Sequence, residues 1–341
     1  MPHRLAGLAI LLFLSGCASD DRTPLVVYSP HGSDQLEFYE AAFEAANPGV
    51  DVQPIDMGAQ DAYDRIRTER ANPQASVWWG APQVTFALAA EEGLLQPFTP
   101  SFADALPASA KDPEGRWYGT YLTPEGILVN TNTVSEDERP RDWDDLLDPK
   151  WRDRILIRSP MQSGTMRAIW SAMIVRQPTV EEGFQWLARL DQNTKAYAAD
   201  PTQMYLGIGR ATADVSLWNM PDTYLQAEEN GYPFAFIIPE SGTPVLVDGI
   251  AIPTGAPQPE LAQQFVEFVS SREAMLEQAK DYFRIPARTD LPQDSLPDWV
   301  SQAQISAMDL DWSDLAQREQ DWMQTWDEQI KGRGAAYLGE Q

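Results

Sequence analysis

The chain has 341 residues, of which 51 are Asp or Glu and 25 are Lys or Arg, so its formal net charge at pH 7 is −26. A field of this sign repels the phosphates of nucleic acids, so no nucleic-acid partner is expected. The single cysteine, Cys17, leaves no disulfide and no thiolate metal site. The length is sufficient for one large domain or two lobes.

Residues 1–16 have the features of a signal peptide. Arg4 supplies a short positive region, and the apolar run over 5–14 is too short to cross a bilayer as a helix. The run ends in LSGC, which resembles the lipobox of bacterial lipoproteins and places Cys17 at the lipidated position. We therefore expect export to the periplasmic face of a bacterial membrane, a lipid anchor at Cys17 as the only membrane contact, and a tether over 17–24. An ordinary signal peptide is the alternative.

Strands and helices alternate along the first hundred residues. The pattern predicts strands at 25–28, 50–55 and 75–80, and helices at 33–46, 61–70 and 83–92. This alternation indicates an open, mostly parallel sheet. Because ligands bind beyond the carboxyl ends of such strands, the loops YSPHGS, DMGAQD and WWGAPQ should converge on one crevice. His31, the one histidine outside the leader, lies on the first loop.

The sequence pattern changes near residue 116. A β-rich stretch, WYGTYLTPEGILVNTNTV, leads into a second α/β unit over about 140–237. Another extended stretch, 232–253, precedes two amphipathic helices at 260–270 and 272–280. The acidic, Trp-rich segment that follows is predicted to form helices packed on the outside of the protein.

Several segments together resemble a known family. They are VVYSPHG, NPQASVWWGAPQVTFALAAEEGLL, PRDWDDLLDPKWRDRI, SGT before a helix, IIPESGTPVLVDGIAIPTG and RIPAR. Their order and spacing are similar to those of the periplasmic solute-binding proteins of ABC importers, in the ferric-iron-binding-protein-like group. The resemblance covers about 25–288.

The resemblance implies an α/β, two-lobed, type II periplasmic-binding-protein fold. Each lobe would be a mixed, mostly parallel sheet flanked by helices, and two crossover strands would join the lobes. Lobe one would comprise 25–118 plus 247–290, and lobe two 119–246, with hinge strands near 119–130 and 237–252 and a helical tail over 291–341. Such a protein closes on a small solute and delivers it to the transmembrane permease. A monomer is expected.

The best local candidate for solute binding is the tripeptide Ser163, Gly164 and Thr165. It immediately precedes a helix predicted over 166–174, so its hydroxyl and N–H groups would lie at a helix N-terminus, where an oxyanion can bind. The alternative is an ordinary helix cap.

Other candidates follow from the positions of strand ends. Side chains alternate along a strand, so Trp79 is expected to point into the crevice, while Gly80 permits close approach of the solute. The alternative is that both tryptophans of the WWG segment have only a structural role. The remaining candidates flank predicted strand ends or face the crevice: Ser29, His31, Gln60, Asp61, Tyr121, Trp218, Asn219 and Asp222. Glu125, Arg210, Arg284 and Arg288 are weaker candidates, the arginines as partners of an anion or of surface acids.

An iron site is the alternative that the resemblance raises. Ferric-binding relatives hold the metal with a His on the first loop, a Glu after the third strand and two consecutive Tyr in lobe two. His31 matches the first position, Ala81 falls at the second, and 219–222 contains no Tyr. Fe³⁺ prefers anionic oxygen donors, so the two candidate ligands that remain, His31 and Tyr224, would form a poor site. No metal and no cofactor is expected.

The remaining features favour a small polar anion such as a carboxylate, phosphonate or phosphate ester. The donors at 163–165, with a protonated His31, would hold it, whereas the acidic surface favours a cation such as a polyamine. Catalysis is not expected. A Ser-His-Asp hydrolase would need His31 as its base, and the sequence contains no GxSxG motif. A structural lipoprotein, with His31 only stabilising its loop, is the third alternative.

Overall fold

The computed structural model describes residues 21–339, and its strands and helices are as follows. The strands are β1 Thr23–Ser29, β2 Val50–Asp56, β3 Val77–Pro82, β4 Trp117–Asn130, β5 Ile155–Arg158, β6 Thr194–Ala198, β7 Val215–Asn219, β8 Phe234–Ile237, β9 Val245–Ala251 and β10 Ile285–Pro286. The helices are α1 Ser33–Ala46, α2 Ala59–Glu69, α3 Gln83–Glu91, α4 Gly164–Val175, α5 Val180–Asn193, α6 Pro201–Gly209, α7 Met220–Glu228, α8 Pro259–Val269, α9 Arg272–Asp281, α10 Asp298–Gln302, α11 Trp312–Gln329 and α12 Gly334–Tyr337.

The strands form one continuous path in the order β2-β1-β3-β9-β4-β7-β5-β6, and β8 and β10 also pair with β4. The outer strands are parallel: β1 pairs with β2 and β3, and β5 pairs with β6 and β7. The central strands are antiparallel, because β9 lies between β3 and β4, and β4 pairs with β7. The predicted α/β fold with a mixed sheet is confirmed.

Helix α1 shows how the sequence pattern positions the elements. Leu36, Tyr39 and Phe43 recur at helical spacing, and all three are buried. Gly32 precedes the helix with a φ of 79°, a left-handed conformation that favours glycine. The buried face of α1 packs against α8, where Phe43 contacts Phe265 edge-on. The conformation of the loop between β1 and α1 is therefore fixed by Gly32 and by the packing of α1.

Two hydrophobic cores lie on either side of the central strands. The first core takes its buried residues from 25–121 and 247–291, and the second takes them from 127–234 and 315–330. Strand β4 runs from one to the other, because its first half pairs with β9 and its second half pairs with β7 and β8. A cleft between the cores is consequently spanned by the central strands.

Helix α11 is part of the second core, which corrects the expectation that the Trp-rich segment only covers the outside. Trp326 is fully buried, and its ring lies edge-on to Trp170 at 5.7 Å and to Tyr197 at 4.9 Å. The helix also packs against both α3 and α4. It is amphipathic, and its apolar stripe is long enough to complete a core.

The N-terminal expectations are only partly within the described residues. The predicted signal peptide and Cys17 lie outside them. The tether predicted over 17–24 is too long, because β1 already begins at Thr23. Arg22 is held in place by Glu44 and Asp51, each at 2.7 Å from its guanidinium. In the part of the chain from 21 to 339, no helix is both long and apolar enough to span a bilayer.

Candidate functional site

A cavity of about 130 Å³ lies in the cleft between the two cores. From the first-core side it is lined by Pro30, His31, Gly58, Ala59, Pro82, Leu246, Asp248 and Arg284, and from the second-core side by Arg158, Gln162, Ser163, Gly164, Thr165, Pro201, Trp218, Asn219 and Asp222, with Thr123 on β4. Seven of the predicted site residues are thus brought together: His31, Ser163, Gly164, Thr165, Trp218, Asn219 and Asp222. Loops after strands of both cores converge here, as the sheet topology predicts.

The N-terminus of α4 faces this cavity. Ser163 caps the helix, since its hydroxyl oxygen accepts a hydrogen bond from the Met166 N–H at 3.3 Å. The N–H groups of Gly164 and Thr165 belong to the first turn, where no helical acceptor is available. The cap and the free N–H groups are therefore combined in one place, and the helix dipole adds a partial positive charge.

Arg158 is a cation without a carboxylate partner in the cavity wall. It ends β5, and its guanidinium lies 5.8 Å from the centre of the Trp218 ring. Nη2 donates to the Gln162 carbonyl at 3.3 Å, whereas Nε is buried and has no partner. Arg158 forms no ion pair with any residue in 21–339, and burial lowers its pKa. Arg158 as a whole is half-buried, and the buried Nε–H is the donor that an anion in the cavity would satisfy.

Arg284 and Asp222 form an ion pair between the two sides of the cavity. Nη1 of Arg284 lies 3.3 Å from Oδ1 of Asp222. Asn219 positions this carboxylate, because its side-chain amide donates to Oδ2 at 2.9 Å and its side-chain oxygen caps the Asp222 N–H. Below it, Arg284 lies over the Tyr121 ring. Asp222 therefore has an ion-pair partner in Arg284, whereas the charge of Arg284 acts on Asp248 without an ion pair.

Two further carboxyl groups belong to adjacent central strands: Asp248 lines the cavity, and Glu125 is buried next to residues that line it. Asp248 on β9 accepts a short hydrogen bond from the Thr123 hydroxyl, and burial raises the pKa of Asp248. Glu125 on β4 is fully buried, and neither of its carboxyl oxygens has a hydrogen-bond partner. Burial, with the nearby charges of Asp248 and Asp222, raises the pKa of Glu125 well above its usual range.

His31 lines the cavity as a neutral imidazole. Its ring lies edge-on to Trp79 at 5.0 Å and to Tyr121 at 5.3 Å. Nε2 is buried without a partner. Burial, assisted by the positive charge of Arg284, lowers the pKa of His31 well below its usual value. The surroundings of His31 therefore disfavour the expected protonated form, and the guanidinium groups of Arg158 and Arg284 are positive charges in the cavity wall.

Trp79 and Gly80 do not line the cavity, contrary to expectation. All six residues of β3 are buried, because β3 has neighbours on both edges and packing on both faces, so alternation along it does not expose Trp79. Gly80 does permit a close approach, but of His31. A β-carbon on Gly80 would lie 2.7 Å from Nε2 of that ring, and its φ of 100° also favours glycine.

Four other predicted residues lie near the cavity without lining it. Ser29 is fully buried, and its hydroxyl oxygen accepts from the His31 N–H at 3.3 Å. Tyr121 is also fully buried and is hydrogen-bonded to Gln35 at 2.9 Å. Gln60 and Asp61 lie in the first turn of α2, where Gln60 donates to Asp64 at 3.3 Å and Asp61 is exposed. Ser29 and Tyr121 support the lining residue His31 rather than a solute.

The two remaining candidate iron ligands, His31 and Tyr224, do not come together in the structure. The ring of Tyr224 packs edge-on against Phe236, Phe283 and Trp299, and it does not line the cavity. Among residues 21–339 no group of three or more His, Cys, Asp or Glu side chains is arranged to hold a metal ion. His31 and Tyr224 therefore cannot act as joint ligands in this conformation.

Sequence reasoning missed Arg158, Thr123 and Asp248, and it ranked Arg284 low. Arg158 does have a local signal, since it ends a strand one turn before the Ser163 cap and strand ends form such sites. Asp248 and Thr123 face each other only because β4 and β9 pair far apart in sequence. A single sequence gives no register for that pairing.

Comparison with known proteins places the fold and the cavity in a family. Residues 83–317 match the family model described as bacterial extracellular solute-binding protein. A probable ABC transporter periplasmic-binding protein of Sinorhizobium fredii is 28% identical over 307 residues, covering 88% of this chain and 84% of the relative. The iron uptake protein A1 of Synechocystis is 25% identical over 307 residues, 82% of each chain.

A candidate 2-aminoethylphosphonate-binding periplasmic protein of Salmonella typhimurium is 26% identical over 298 residues, covering 84% of this chain and 86% of the relative. Two solved structures share the fold. The periplasmic binding protein AfuA of Actinobacillus pleuropneumoniae, with fructose 6-phosphate bound, has a TM-score of 0.80 at 24% identity and covers 91% of this chain and 99% of its own. The ferric binding protein of Campylobacter jejuni has a TM-score of 0.76 at 19% identity and covers 89% and 98%.

The relatives are transport binding proteins, and their shared fold is that of the type II periplasmic binding proteins. The predicted family and fold class are thus confirmed. The fold is similar to that of the ferric binding proteins; the chain belongs to the bacterial extracellular solute-binding protein family and is the periplasmic solute-binding component of an ABC transporter.

Proposed function

We propose that this protein captures a small organic anion with a phosphonate, phosphate ester or carboxylate group and delivers it to an ABC permease. The anionic group binds between the N-terminus of α4 and Arg158. Ser163, Gly164 and Thr165 supply a capped helix end with free N–H groups, and Trp218 supplies an aromatic wall next to the guanidinium.

The observation that carries this proposal is the unpaired guanidinium of Arg158. The chain has twice as many acidic as basic residues, yet none of the described carboxylates forms an ion pair with Arg158, although the charges of Asp200, Asp222 and Asp61 act on it. Its Nε is buried without an acceptor, which costs about 1–3 kcal/mol when nothing compensates. An oxyanion in the cavity can accept from Nε and from the first N–H groups of α4 together.

The relatives support an anion but differ in what they bind. The names of two of them refer to 2-aminoethylphosphonate and fructose 6-phosphate, both of which carry a phosphorus oxyanion, and the name of a third refers to iron. The iron alternative is less well supported because Tyr224 packs away from the cavity. The polyamine alternative leaves Arg158 without a partner.

The proposal includes how the solute is enclosed and where the protein works. The two cores would act as lobes, 25–118 plus 247–290 and 119–246, that close about hinge strands near 119–130 and 237–252, with the tail over 291–341 attached. Cys17 would carry the lipid anchor after removal of 1–16, and the mature protein would act as a monomer without catalytic activity. The position of β4 between the two cores supports such a hinge.

Isothermal titration calorimetry on the purified mature protein tests the proposal. The panel is 2-aminoethylphosphonate, fructose 6-phosphate, citrate, spermidine and ferric citrate. At least one organic anion should bind, and Arg158→Gln should weaken it by about a hundredfold, equivalent to about 2.7 kcal/mol. The matched control is Arg152→Gln, since Arg152 is exposed on the same side of the protein and contacts only Gln192 at 3.4 Å. Binding of spermidine alone, or of ferric iron with a tyrosinate absorption band, would overturn the proposal.

A further inference from the structure

We infer that Asp248 in the cavity wall, with the neighbouring buried Glu125, binds a cationic amino group, so that the solute is a small zwitterion with an oxyanion and an ammonium group. This inference rests on the proposed function, because it assigns the second half of a solute whose anionic half binds Arg158. The two carboxylates lie on neighbouring strands, β9 and β4, which pair antiparallel.

The first argument is that Glu125 lacks partners. Its side chain is fully buried, and neither carboxyl oxygen has a partner in hydrogen-bond geometry, although the Thr165 hydroxyl is near enough to stabilise the ionised form. Asp248 and Asp222 also act on Glu125, and all three of these neighbours line the cavity. Buried polar atoms are nearly always satisfied, so a carboxyl group without a partner beside a cavity indicates a missing donor. Without a cation the raised pKa keeps Glu125 protonated, and an ammonium group beside it would stabilise the ionised form. An ammonium group has three N–H donors and no acceptor, which suits a site built from acceptors.

The second argument is the charge balance of the cavity. Asp222 is matched by Arg284, to which it is paired at 3.3 Å. Arg158 forms no ion pair with a described carboxylate, and its buried Nε–H has no acceptor. Asp248 forms no ion pair with a described residue, although the charge of Arg284 acts on it, and its carboxylate accepts a hydrogen bond from the neutral Thr123 hydroxyl. A solute with only an anionic group would leave these acids with no cation beyond Arg284, which is already paired with Asp222, whereas a zwitterion adds a positive charge beside them.

The acids that act on Arg158 and on Glu125 form two different sets. The acids that act on Arg158 are Asp200, Asp222 and Asp61, and neither Asp248 nor Glu125 is among them. The acids that act on Glu125 are Asp248 and Asp222. Asp222, which already has a partner in Arg284, belongs to both sets, and the other acids that act on Arg158 differ from the one that acts on Glu125.

The size of the cavity limits the solute. A water-sized group needs about 10–15 Å³ of cavity volume, so the observed volume of about 130 Å³ accommodates roughly ten non-hydrogen atoms. A two- or three-carbon chain between the oxyanion and the amine fits this limit.

Three matched phosphonates test the inference by calorimetry: 2-aminoethylphosphonate, 2-hydroxyethylphosphonate and ethylphosphonate. They share the anionic group and differ only in the terminal group. The wild-type protein should bind the amine at least tenfold more tightly than either of the other two. Asp248→Asn and Glu125→Gln should each reduce this preference to less than threefold, and neither should weaken the binding of ethylphosphonate, because each removes a negative charge and no group that holds the anion. Asp281→Asn, at an exposed acid in α9, is the control and should keep the full preference.

The outcomes separate this inference from the proposed function. If all three phosphonates bind alike, or if the hydroxyl compound equals the amine, the inference is wrong and the anion site stands. If none of the phosphonates, carboxylates or phosphate esters binds the wild-type protein, the proposed function fails. If the amine preference survives in both acid variants, the ammonium site lies elsewhere and the assignment to Asp248 and Glu125 is overturned.

Discussion

The guanidinium of Arg284 contacts the carboxylate of Asp222 across the cavity, with 3.3 Å between Nη1 and Oδ1. Arg284 lies just before β10 on the first-core side, and Asp222 lies in the first turn of α7 on the second-core side. Their side chains are 7% and 27% exposed, so solvent screens the pair less than it would at the surface. This contact links the two sides in the conformation described.

Removal of the Asp222 charge should favour separation of the two sides in the absence of solute. Asp222→Asn retains the shape and the Asn219 cap but removes the attraction to Arg284. The radius of gyration of the solute-free variant, measured by small-angle X-ray scattering, should exceed that of the wild-type protein. Asp214→Asn is the control, because Asp214 pairs with Arg154 within the second-core side. An unchanged radius would mean that the pair does not influence closure.

The course of the chain in its first half could be predicted because local patterns determine it. The helix predicted over 33–46 coincides with α1, since apolar spacing, Gly32 and the stop at 47–49 all act within a few residues. The SGT tripeptide likewise identified the N-terminus of α4, because capping is a local property of the chain.

The burial of β3 and the place of Asp248 in the cavity wall could not be predicted, for a different reason. Whether Trp79 faces the cavity depends on what covers both faces of β3, and this is set by α1, α8 and β9 from distant parts of the chain. The pairing of Asp248 with Thr123 depends on the register of β9 on β4. Sequence periodicity gives neither coverage nor register.

Loss of the Thr165 hydroxyl should weaken binding of the anion without lowering stability. Thr165 lines the cavity in the first turn of α4, and its hydroxyl lies near Glu125 as well as the proposed anion. Thr165→Val should reduce affinity about tenfold, equivalent to about 1.4 kcal/mol, while Tm changes little. Thr212→Val, at an exposed threonine, should change neither quantity. Wild-type affinity in the Thr165 variant would place the anion away from the helix end.

The buried His31 should make the protein less stable in acid. Its pKa is lowered from 6.5 in the folded state, so below about pH 6.5 the unfolded chain binds more protons and the free energy of unfolding falls. A single group contributes at most about 1.4 kcal/mol per pH unit to this slope. The dependence of the free energy of unfolding on pH should be less steep in His31→Gln than in the wild-type protein, by up to about 1.4 kcal/mol per pH unit. Urea denaturation between pH 5 and pH 7.5 measures this difference. Parallel curves for the two proteins would show that His31 keeps an ordinary pKa.

Truncation of Trp326 should cost far more stability than truncation of Trp312, the first residue of the same helix, α11. Trp326 is fully buried between α4 and β6, whereas Trp312 is partly exposed at the start of the helix. Trp326→Ala should lower the free energy of unfolding by about 3–5 kcal/mol. Trp312→Ala should lower it by less than about half as much. Comparable losses would indicate that α11 does not contribute to the second core.

The approach of Gly164 to Pro82 offers a test of how closely the two sides must meet. A β-carbon at residue 164 would lie 3.0 Å from Cγ and 3.3 Å from Cδ of Pro82, which is closer than ordinary contact. Gly164→Ala should therefore hold the two sides slightly apart and weaken solute binding about tenfold. It should not lower Tm, because alanine is the better helix former by up to about 1 kcal/mol.

A second substitution distinguishes this steric effect from a direct loss at the helix end. Pro82→Ala removes Cγ and Cδ, the atoms that the new methyl group would meet. In the double variant the affinity should recover most of the loss, so a double-mutant cycle should give a favourable coupling of about 1 kcal/mol. If the double variant binds no better than Gly164→Ala alone, the loss arises at the first turn of α4, and the contact between the two sides does not limit binding.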